Sequence, residues 1–145
     1  MGKKTKYFLL FLAVIVLSVA GIIYYLYNKP ALNVQHATAK KVVATKLYDS
    51  FSKDSISAKK NFANQVLEVS GTVAKISENQ RHEDLILLKT NMEGAAVNCT
   101  LEGEASNIKE GDSIAIKGIC NGIGEGDADL GIMGDVYLVR CYVVK

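Results

Sequence analysis

The sequence has no tryptophan, one proline and three cysteines among its 145 residues. So little proline excludes collagen-like and proline-rich chains, and 22% charged against 49% apolar residues excludes disorder driven by charge. Aromatic side chains are scarce in the C-terminal half: of seven tyrosines and four phenylalanines, only Tyr137 and Tyr142 lie beyond residue 62. Basic charge is short there as well. Residues 63–145 carry seven basic and thirteen acidic side chains, a net of −6, while residues 31–62 carry six lysines against Asp49 and Asp54. A single-strand nucleic-acid binder needs a basic groove and aromatic stacking platforms, and residues 63–145 supply neither. The lysines of 31–62 read as a solvated helix face, with attraction to anionic lipid as the alternative.

Charge is wholly absent between Tyr7 and Leu26. Twenty helical residues rise about 30 Å, the thickness of a bilayer core. Lys3, Lys4 and Lys6 precede the run and Tyr24, Tyr25 and Tyr27 crowd its far end, where amphipathic rings suit headgroup depth. This divides the start of the chain into a basic arm, 1–6, and a transmembrane helix, 7–26. A cleaved signal peptide competes, because Ser18-Val19-Ala20 before Gly21 offers the small residues a signal peptidase needs. Apolar residues continue past that point through Ile22, Ile23 and Leu26, which favours an anchor. No cysteine follows for lipidation, and Lys6 stands where a myristoylation signal needs Ser or Thr. A short basic arm is normally retained while a long domain crosses regardless of its charge. The expected topology is therefore single-pass in the cytoplasmic (inner) membrane, N-terminus inside and C-terminal domain extracytoplasmic.

Beyond Asn28-Lys29-Pro30, which should end the spanning helix, Val34, Ala37, Ala44, Leu47, Tyr48 and Phe51 recur at helical spacing, predicting one helix over 33–52. Asp54 and Ser55 offer an N-cap to a second, through Ile56, Ala58 and Phe62. Residues 27–62 thus read as a helical stalk. From residue 65 the period falls to two, giving five strands at 65–77, 83–90, 94–101, 112–121 and 134–144. The polar stretch 102–110 between the third and fourth fits a helical turn. Five short strands with a helical element in that place have the order of an OB-fold Greek-key barrel, here over 63–145, so the fold class is mainly β.

The residues that carry the pattern are Leu47 and Phe51, Ala58 and Phe62, Val69-Ser70-Gly71-Thr72-Val73, then Val97 and Cys99. They continue through Gly111-Asp112, Ile116-Lys117-Gly118-Ile119-Cys120-Asn121-Gly122, and Val136, Leu138 and Cys141. Over about residues 45–145 the sequence resembles the tRNA_anti-like family of OB-fold proteins, found in bacteria behind a signal or membrane anchor. The resemblance implies an OB-fold; the family's name records likeness to anticodon-binding barrels rather than an activity. The segment 123–135 departs from the family's tight turn between the last two strands.

OB-fold ligands meet the face of the second and third strands and the loops after the first and fourth. Those loops are 77–82 and 121–135, and they nominate Arg81, His82, Asn121, Glu125, Asp127 and Asp129 as binding residues. An acidic surface poor in aromatics suits a protein or peptide partner, so the expected function is a non-catalytic binding module of the bacterial envelope. The alternative is a nucleic-acid binder of the anticodon-binding type with a cytoplasmic C-terminal domain. No catalytic residues are assigned, because neither His36 nor His82 has a sequence-near nucleophile with a supporting acid. No metal or cofactor is assigned either. Cys99, Cys120 and Cys141 contain no C-x-x-C pair, and Asp127-Ala128-Asp129 lacks the rest of an EF-hand, with Gly131 and Leu138 at ligand positions. Asn98-Cys99-Thr100 matches a glycosylation sequon but falls within a strand. With the third strand parallel to the fifth, Cys99 and Cys141 come to similar heights and are the disulfide candidates, with Cys120 left over near the opposite rim. Three small buried thiols without a bridge are the competing reading.

Overall fold

Tyr7 to Leu26 lies within a helix that starts earlier than the uncharged run. The computed structural model describes residues 2–28, 32–127 and 129–144. They form two units, Met1–Asn33 and Val34–Lys145. In the first, α1 spans Lys3–Tyr27 with none of its residues buried, and its most apolar window has a mean hydropathy of 2.7. The expected basic arm is therefore the first turn of the helix rather than a separate segment. The helix is long and apolar enough to cross a membrane, a test that a signal sequence also passes. Ser18 donates its hydroxyl to the Val14 carbonyl at 2.8 Å, so its polar atom is satisfied within the helix. Asn28 closes the C-terminus by donating its N–H to the Tyr24 carbonyl. Lys29 and Pro30, expected to end the helix, lie outside the described residues.

The second unit contains β1 (Lys40–Val43), α2 (Ala44–Lys53), α3 (Ser55–Phe62), β2 (Val66–Glu78), β3 (Asp84–Lys89), β4 (Ala96–Leu101), β5 (Ser113–Ile123) and β6 (Val136–Val143). Strands are ordered β1-β2-β3-β4-β6-β5, and β5 returns to β2, from Val66↔Ile119 to Thr72↔Ser113, closing a five-stranded barrel. β4 and β6 are parallel, as the OB order requires. β2 serves three partners along its length. Its first half pairs with β5 and, in parallel, with β1; after a bulge between Val73 and Lys75 its second half pairs with β3.

The expected helix over 33–52 and the stalk reading of 27–62 are both corrected. An apolar stripe running from Val34 and Ala37 to Ala44 needs an apolar residue near 40 or 41, and lysines stand at both. Lys40-Lys41-Val42-Val43 instead runs extended and parallel along the free edge of β2, with Lys41 paired to Glu68 at 3.6 Å. Val43, still extended, then starts α2. On α2 the stripe is complete: Ala44, Leu47, Tyr48 and Phe51 are all buried and join the barrel's own core. Gly71 lets the start of this helix approach β2, since a methyl there would lie 3.0 Å from Ala44 Cβ. α3 follows at once, its N-terminus capped by Asp54, whose Oδ1 accepts from the N–H groups of Ile56 and Ser57 at 3.1 and 3.0 Å. The helical turn expected within 102–110 is replaced by non-helical turns. The barrel's helical plug comes from before its first strand, so the later connection needs no helix.

Candidate functional site

Two adjoining clefts open where the β2–β3 turn meets the ends of β4 and β6. The first, about 530 Å³, is lined by Asn79, Arg81 and Glu83 of the turn, Thr100 to Glu102 at the end of β4, and Val139 and Arg140 of β6. The second, about 650 Å³, shares Glu83, Leu101 and Glu102 with it and adds Glu78, His82 and Asp84.

Asn79 shapes the turn. Its Oδ1 accepts from the N–H groups of Arg81 and Glu83 at 2.8 and 3.0 Å, an Asx-type turn, and its Nδ2 donates to Glu83 Oε2 at 2.7 Å. His82 takes a left-handed φ of 61° and pairs through Nδ1 with Glu78. The turn spends its acids internally and leaves the Arg81 guanidinium without an ion pair among the described residues.

On the other wall, β6 departs from alternation. Register shifts between Cys99 and Leu101 of β4, and Arg140 sits at φ 54°, a backbone well that non-glycine residues enter at a cost of order 1 kcal/mol. The bulge turns Arg140 outward, where its Nε donates to Glu102 Oε1 at 3.0 Å, while the Tyr142 hydroxyl donates to Glu102 Oε2. The Tyr142 and Arg140 hydrogen bonds hold the Glu102 carboxyl below its ordinary range, and Glu102 in turn raises the Tyr142 hydroxyl. Both arginines of the chain therefore line one cleft whose floor is Leu101 and Val139.

The structure gathers only part of the sequence-nominated set. Arg81 and His82 stand at these clefts. Asn121 is an exposed position of β5, and Glu125, Asp127 and Asp129 belong to the segment leading into β6. That segment lies at the other end of the β4–β6 pair, where Asp135 Oδ1 accepts from Ala96 N–H at 2.8 Å. Strand direction puts the two loops at opposite ends of the barrel wall, so Arg81 and His82 lie apart from Glu125, Asp127 and Asp129. Asp127 acts locally, accepting from the N–H groups of Asp129 and Leu130 at 3.0 and 3.2 Å. Ala128 lies outside the described residues, and among the described residues no three His, Cys, Asp or Glu side chains gather as a metal set. Glu102, Arg140 and Tyr142 were missed because 102 read as helical and 140 and 142 as ordinary alternation. The parallel pairing of the third and fifth barrel strands was the signal that would have joined them.

The three cysteines are buried as free thiols. Across the β4–β6 pair Cys99 faces Leu138 and Leu101 faces Cys141, so the two cysteines lie at adjoining heights. Cys120 does not end at the opposite rim: β5 runs on to Ile123, and Cys120 and Cys99 both face Leu138 from the two sides of β6. Asn98-Cys99-Thr100 lies inside β4.

A family model described as tRNA_anti-like matches residues 1–130. Among solved structures, an OBody, AM3L09, bound to hen egg-white lysozyme is 20% identical, with a TM-score of 0.40 over 59% of this chain and 86% of that one. A protein described as an aspartyl-tRNA synthetase from Leishmania major Friedlin is 6% identical, with a TM-score of 0.44 over 79% of this chain and 22% of that one. No curated protein matches the sequence.

Proposed function

Because the chain belongs to the tRNA_anti-like family, we propose that it is a membrane-anchored OB-fold module that binds a protein or peptide partner outside the cytoplasm and performs no chemistry of its own. The observation that carries this reading is the cleft containing Arg81 and Arg140. Arg81 is free to fork onto a carboxylate, the negative charges of Glu83 and Glu102 attract a basic group, and the half-buried Val139 offers apolar surface. A peptide carries all three chemistries along one short segment. A polyanion meets only the arginines and is repelled by Glu78, Glu83, Asp84, Glu102 and Glu104 around the two clefts. Among the described residues no Phe or Tyr lines either cleft, and Tyr142 reaches them only through Glu102, too little for a run of stacked bases. α1, with three lysines in its first turn and a long domain behind, supports an extracytoplasmic barrel anchored to the inner membrane.

The alternative, anticodon-type nucleic-acid binding, needs a cytoplasmic barrel, and two measurements separate the readings. A membrane-impermeant maleimide applied to intact cells is expected to label an Asp127→Cys reporter in a chain whose native cysteines are replaced; labelling only after lysis overturns the topology. Titration of the detergent-solubilised chain with a panel of mixed-charge peptides and with single-stranded oligonucleotides tests the ligand. Peptide binding that R81A weakens about tenfold is expected, and oligonucleotide binding with no peptide binding overturns the reading.

A further inference from the structure

We infer that Cys99 and Cys141 are the site of an intramolecular disulfide that ties β4 to β6 inside the barrel, with Cys120 remaining a thiol. Three independent features converge on this pair. The first is the β6 bulge. Strict alternation would give Cys141 the outward orientation of Tyr137, which is 39% exposed. Instead the buried positions of β6 are Val136, Leu138 and Cys141, a step of two followed by a step of three. The left-handed Arg140 is the residue that absorbs the difference, so strained backbone is maintained where it turns Cys141 inward.

The second feature is the space made for the sulfur. β5 carries Gly118 under Cys141, and a methyl at Gly118 would run into Cys141 Sγ and close on the Val139 carbonyl. The third is placement of the thiols themselves. Across the parallel β4–β6 pair Cys99 faces Leu138 and Leu101 faces Cys141, so the cysteines are diagonal neighbours on one inward surface, both fully buried. Cys120 is kept from Cys141 by register, since it faces Leu138, three residues away along β6, and from Cys99 by topology. β6 separates it from Cys99, placing their Cα atoms about 9 Å apart, beyond the roughly 7 Å that a disulfide spans.

Both thiols are fully buried in the closed barrel, so the bond forms as β6 docks. One cysteine, as thiolate, attacks the disulfide of an oxidised dithiol protein or oxidised glutathione and releases one donor thiol. The other then attacks the mixed disulfide and releases the second. The protein loses two electrons and two protons, and the donor disulfide gains them as two thiols. In cells the step rests on the extracytoplasmic placement proposed above, where such donors persist.

The test isolates the full chain in detergent without reductant, alkylates free thiols at once and maps the peptides by mass spectrometry. The expected result is a Cys99–Cys141 linked peptide with Cys120 alone alkylated. C120A should keep the link, and reductant should lower Tm by about 10 °C. A parallel sample, unfolded, reduced and refolded with oxidised glutathione, separates chemistry from compartment. A link after refolding but not in the isolated chain supports the pairing and refutes the extracytoplasmic reading. Three alkylated cysteines in both samples, or a link through Cys120, overturns the inference.

Discussion

Gly118 is the residue whose replacement is felt most directly. Its missing side chain is occupied by Cys141 Sγ, so G118A forces a sulfur or a strand to move, at a cost of about 2 kcal/mol. Truncating the sulfur in the same chain, as G118A/C141A, should recover part of that loss against C141A alone, measured by urea denaturation; purely additive effects would show that the contact does not exist. Glu102 makes a spectroscopic prediction. Its hydrogen bond raises Tyr142, so E102Q should move one tyrosine's ionisation down in an alkaline absorbance titration. Glu102 itself is held low, so what its pairing contributes is present above the ordinary carboxylate value and fades as pH falls through the lowered one. The half-exposed Arg140 partner keeps that contribution small. The same sign applies to the capping carboxylate of Asp54, lowered mainly by Ser57. D54A should lower Tm near neutral pH and make less difference in strong acid.

Among the elements, α2 completes the barrel's core, adding Ala44, Leu47, Tyr48 and Phe51 to the strand residues. Phe51 and Leu47 are 2% and 0% exposed among β-strand side chains, so F51A or L47A should cost about 3 to 4 kcal/mol. A chain beginning at residue 34 is expected to give a cooperative thermal transition, whereas one beginning at residue 63 should give none; a folded 63–145 fragment would restore the stalk. The barrel strands were legible because, apart from the bulges in β2 and β6, β2 to β6 alternate at period two between turn residues. α2 was legible as an amphipathic helix, but one-dimensional periodicity cannot tell a helix that covers a barrel from one that stands apart. β1 was not legible: four residues with two lysines carry no pattern until the free edge of β2 gives them a partner. The site suffered in the same way. Arg81 and His82 follow from turn chemistry, while Arg140 reaches the cleft only through a bulge, which no residue type announces.

For the whole molecule, hydropathy and charge divide at the same place. α1 exposes an apolar surface along its length, whereas residues 34–145 carry thirteen basic and fifteen acidic side chains around a shared core. Residues 34–145 alone should therefore behave as a water-soluble monomer by light scattering with unchanged circular dichroism, and the full chain should need detergent. Aggregation of the shorter chain would overturn this expectation.

The position of β6 between β4 and β5 has a temporal consequence. During synthesis the last strand to emerge is the one that joins two earlier neighbours, so the cylinder cannot close until residue 143 has left the ribosome. Until then β2, β3, β4 and β5 leave a gap between β4 and β5 that β6 alone fills.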